Sequence, residues 1–88
     1  MRIKDCFSLK NIDGQQVVVA TGEAVNSFTS SIVLQETAAF LWNTLKEKDM
    51  TKEQMVNALL NNFDISTVLA LSDVDSFFKT LKENGIIQ

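Results

Sequence analysis

The sequence predicts an α+β domain in which a small three-stranded antiparallel sheet precedes three helices. Three observations predict it. Polar and apolar residues alternate on the N-terminal side of Asp13-Gly14, a valine-rich run follows that pair, and three successive segments from Glu36 onward place apolar residues at helical spacing.

Residues 6–12 form the first predicted strand, with Phe7 and Leu9 on one face and Ile12 as a further candidate for it. Asp13-Gly14 is a hairpin signal, because both central positions of a type I′ turn need positive φ. Residues 15–20, with Val17, Val18 and Val19, form the returning strand. Thr21-Gly22-Glu23 breaks it, and Ser30-Ser31-Ile32-Val33-Leu34 reads as a short third strand.

The first helix is predicted from Glu36 to Lys48, with Ala39, Phe40, Leu41, Trp42 and Leu45 as a broad apolar stripe in which Trp42 is core. Thr51-Lys52-Glu53-Gln54 has the pattern of a capping box and opens a second helix carrying Met55, Val56, Leu59 and Leu60. That helix stops near Asn61-Asn62. Ser66 caps the third helix, whose stripe is Val68, Leu71, Val74, Phe77, Phe78 and Leu81. Asn84-Gly85 ends it, with glycine supplying the left-handed position, and Ile86 and Ile87 fold back on the core.

At 88 residues this is one domain, 1–88, with 45% apolar residues for a single core and no linker, repeat or low-complexity stretch. Eleven carboxylates outnumber eight scattered Lys and Arg, for a net charge of −3. Nucleic-acid affinity comes largely from neutralising phosphates, so no nucleic-acid partner is expected. No apolar run approaches the length of a membrane span, and the N-terminus does not read as a signal peptide, so the expected setting is cytoplasmic with no membrane partner.

Catalytic chemistry is not expected. There is no histidine, and Cys6 has neither a second thiol nor an imidazole to activate it. One sulfur ligand without imidazole excludes the usual zinc spacings. Asp73 and Asp75 are two apart on a helix and point in different directions, and no glycine-rich loop cradles a phosphate. No cofactor and no metal are expected.

The order of motifs is more specific than any one of them. Ile12-Asp13-Gly14 leads into the valine-rich strand. Then come Gln35-Glu36-Thr37-Ala38-Ala39-Phe40-Leu41-Trp42, Met50-Thr51-Lys52-Glu53-Gln54 and Phe63-Asp64-Ile65. The chain ends on Asp73-Val74, Phe77, Leu81 and Gly85-Ile86-Ile87. Over roughly residues 7–87 this resembles the PqqD family, named for coenzyme PQQ synthesis protein D. Family members often carry Asn where this chain has Gln35, a poorer helix cap.

The resemblance implies a winged helix-turn-helix-like fold. It implies a recognition element for ribosomally made precursor peptides, whose leader docks as an extra strand beside the third strand and against the third helix. It implies a separate modifying enzyme, often of the radical SAM type. The residues allow this, since the segment around Thr29, Ser30, Ser31, Ile32 and Val33 lacks proline and charge and its edge is open to an added strand. On the third helix, Ala70, Val74, Phe77 and Leu81 are assigned to the core. The margin carrying Leu71, Asp75, Phe78 and Lys82 is chosen as the peptide-facing wall for its mixture of apolar and polar groups. Two other readings stay open: a winged-helix DNA-binding regulator, and a structural or oligomerisation module that buries the third strand in a homodimer.

Overall fold

The computed structural model describes residues 2–22, 25, 28 and 32–87. Its element order is β1 (Phe7–Ile12), β2 (Gln15–Ala20), β3 (Ile32–Leu34), α1 (Glu36–Glu47), α2 (Lys52–Asn62) and α3 (Thr67–Glu83). The strands form one antiparallel sheet in the order β1-β2-β3. This is the α+β arrangement of three strands followed by three helices expected from the sequence.

The hairpin turn has the geometry its residues favour. Asp13 and Gly14 have φ of 54° and 81°, and the Gly14 N–H donates to Asn11 Oδ1 at 3.0 Å. The resulting register pairs Phe7 with Ala20 and Leu9 with Val18, while Val18 also pairs with Ile32. Those side chains share the face that packs on the helices. Ile12 has the opposite parity to Phe7 and Leu9. It is exposed on the other face, which corrects its grouping with them.

Each helix begins and ends where its end residues allow. Gln35 gives α1 no side-chain cap, and the first turn is held by the backbone bond from Ala39 N–H to Gln35 O at 2.8 Å. At α2 the Thr51 hydroxyl accepts from Gln54 N–H at 3.1 Å, and the Gln54 side chain accepts from Thr51 N–H at 2.9 Å. Ser66 Oγ accepts from Leu69 N–H at the start of α3. Beyond Asn84, Gly85 takes φ of 69°, its N–H reaches Lys82 O, and Ile86 N–H reaches Leu81 O at 2.9 Å. That pair of bonds is the Schellman closure, and it turns Ile86 into the core.

The core lies between the inner sheet face and the helices, with Trp42, Leu41, Met55, Leu59, Leu81, Ile86 and Val74 as its largest fully buried side chains. Ile3 pairs with Ile87 in an isolated antiparallel bridge, which joins the segment before β1 to the segment after α3 at the core. On α3 the buried stripe is Ala70, Val74, Phe77 and Leu81. Val68 and Leu71, expected in that stripe, are exposed.

Candidate functional site

A three-stranded sheet has two borders, and the side chains near them differ. At the β1 border, Lys46 of α1 donates to the Phe7 carbonyl at 2.9 Å. At the other border, β3 pairs only with β2 among the described residues, and Val33 is 41% exposed. The backbone groups on the far side of β3 have no strand partner there, which is the condition for accepting another strand.

This border opens onto a groove of about 210 Å³ between β3, the start of α1 and one margin of α3. Ile32, Leu34 and Phe77 are buried and form an apolar floor. Gln35, Thr37, Asp73, Ser76 and Thr80 supply the polar rim. Thr37 Oγ1 donates to Asp73 Oδ2 at 3.2 Å, joining the first turn of α1 to α3 across one end of the groove. Because β3 runs straight into α1, that end adjoins the C-terminal end of β3. From there the α3 wall continues through Ser76 and Phe77 to Thr80.

The residues singled out from the sequence divide three ways. Ile32 and Val33 lie at the groove, one in its floor and one on the strand border. Thr29, Ser30 and Ser31 lie outside the described residues. The α3 margin facing β3 is not the one chosen from the sequence: Leu71, Asp75, Phe78 and Lys82 occupy the opposite margin, toward α2. There Lys52 of α2 pairs with Asp75 at 3.2 Å and lies 4.5 Å from the Phe78 ring centre, and Lys82 approaches the same ring at 5.9 Å. The residues that do line the groove, Asp73, Ser76 and Thr80, stand at i, i+3 and i+7 on the margin of the stripe next to Phe77. Once the β3-facing margin is known, the sequence locates them.

Among the described residues no group of three or more His, Cys, Asp or Glu side chains converges as a metal site would require, and Cys6 is a half-buried free thiol. No helix of the described chain is long and apolar enough to cross a membrane.

The sequence model of the family described as coenzyme PQQ synthesis protein D (PqqD) matches residues 15–87, most of the chain. The chain belongs to the PqqD family. No curated protein matches this PqqD-family domain at the significance required of a relative. Solved structures do resemble it. One is TbiB1 in complex with the TbiA(beta) leader peptide, at 18% identity and a TM-score of 0.74, covering 100% of this chain and 95% of that one. Another is lasso peptide synthetase B1 complexed with the leader peptide, at 21% identity and a TM-score of 0.71, covering 99% of this chain and 95% of that one. At these identities the likeness establishes that the PqqD-family domain shares their fold.

Proposed function

We propose that this domain binds the leader segment of a ribosomally made precursor peptide as a fourth strand on β3, against α3, and presents it to a separate modifying enzyme. The observation that carries the reading is the β3 border, unpaired on its outer side among the described residues, opening onto a groove with an apolar floor and a polar rim. Backbone hydrogen bonds to β3 supply affinity that depends little on sequence, and the floor and rim supply register. Membership of the PqqD family supports it, as do the two solved proteins of the same fold, both in complex with leader peptides.

The sheet is antiparallel throughout, and a fourth strand that keeps the alternation runs opposite to β3. It enters beside Asp73 and leaves beside Thr80. Its inward side chains fall on Ile32, Leu34 and Phe77, and alternate ones lie beside Val33 on the outer face. Thr29, Ser30 and Ser31 precede β3 in the sequence and lie outside the described residues, so the strand contact of the proposal is carried by Ile32 and Val33. Leu71, Asp75, Phe78 and Lys82 do not line this groove, and the α3 wall of the proposal is Asp73, Ser76, Phe77 and Thr80. The domain holds the peptide, and the partner enzyme, of the radical SAM type in many such pathways, performs the chemistry.

A DNA-binding role has less support. The lysines of α2 and α3 do not form a basic face: Lys52 pairs with Asp75, and Lys79 lies 3.9 Å from Glu83. An edge-to-edge homodimer through β3 would compete with the peptide for the same backbone groups.

Titration of candidate leader peptides against the isotope-labelled domain tests the proposal. Amide shifts concentrated at residues 32–34 and 73–80 are expected. A bound leader that perturbs only the α2-facing margin of α3 would overturn the site.

A further inference from the structure

We infer that Asp73 makes the groove selective for peptides carrying a Lys or Arg on the N-terminal side of their apolar contact residues; this rests on the β3 groove reading. Among the described residues Asp73 is the one charged side chain lining the groove, and no basic residue lines it. It is half-buried, at the end where an antiparallel strand enters. Thr37 engages one of its carboxylate oxygens, which fixes the side chain in place.

The cations of α2 and α3 are engaged elsewhere. Lys52 pairs with Asp75, Lys79 lies against Glu83, and Lys82 sits by the Phe78 ring. Asp73 is therefore a fixed negative charge without a cation from its own helix or its neighbour, on the rim of an apolar floor. A peptide whose apolar residues fill that floor brings its preceding side chains to Asp73. A cationic one gains a charge-assisted hydrogen bond there, and an acidic one meets a like charge in a partly desolvated place.

The bland role for Asp73 is to tether α1 through Thr37. Charge and tether are separable. Asp73→Asn keeps an oxygen that accepts from Thr37 and removes the charge. Asp73→Lys reverses the charge.

The test pans a displayed library of random short peptides against the intact domain and the two variants, with Ser76→Trp as a variant that fills the groove. Wild type is expected to enrich peptides with a basic residue preceding an apolar pair at constant spacing. Changing that basic residue to Gln is expected to weaken binding roughly tenfold to wild type and little to Asp73→Asn. Asp73→Lys is expected to favour an acidic residue at the same position. Groove-dependent peptides without any charge preference would overturn the inference and leave the groove reading intact. Enrichment that Ser76→Trp does not reduce, or no enrichment at all, would overturn the groove reading and the inference with it.

Discussion

Thr51 and Gln54 satisfy each other's backbone N–H groups at the start of α2, and Gly85 holds the left-handed position that ends α3. Both devices are local, and both are readable from a few residues of sequence. Thr51→Ala is expected to lower stability by about 1 kcal/mol through loss of the cap. Gly85→Ala has open space for its Cβ, so its cost is conformational, about 1–2 kcal/mol for an L-residue at this φ of 69°. Denaturant unfolding of both variants checks these values. Ile12 shows the limit of single-residue reading. Its apolar character suggested the core, but the strand period of two places it opposite Phe7 and Leu9, where it is exposed.

At the scale of elements, the hairpin, the capped helices and the fold-back at Ile86 were all legible because each rests on a short-range rule. The orientation of α3 was not. Its core stripe of Ala70, Val74, Phe77 and Leu81 is flanked by two margins, and which one faces β3 depends on how α1 and α2 pack around it. Leu71 and Phe78 made one margin look like a binding wall. The structure places that margin beside α2, where Lys52 reaches both Asp75 and Phe78. The other margin carries small polar residues, Ser76 and Thr80, that leave room for a peptide backbone. Ser76→Trp is therefore expected to weaken leader binding at least about tenfold while changing stability little, as exposed positions usually do. Leu71→Asp is expected to leave binding within about twofold, because its margin lies outside the groove. Isothermal titration of both variants with one leader peptide decides between the margins.

At the scale of the whole domain, sheet and helices share one core. Stability and site are consequently linked: Phe77 is both a core residue and part of the groove floor. Phe77→Ala is expected to cost about 3–5 kcal/mol, a large part of what a domain of this size possesses. Its effect on binding then cannot be separated from unfolding, whereas rim variants report on the site alone. A leader that binds only the folded state should raise the thermal midpoint, by an amount equivalent to about 2.7 kcal/mol at a hundredfold excess over Kd. Family and fold were legible at this scale, because the order and spacing of Glu36-Thr37-Ala38-Ala39, Leu41-Trp42 and Asp73-Val74 span elements that a shared fold brings together.

Amide hydrogen exchange of the domain with and without saturating leader peptide reads the central claim residue by residue. Strand addition predicts new protection at residues 32–34, where backbone groups gain partners, with the β1 border near Phe7 unchanged. Tight binding without added protection anywhere in β3 would contradict it.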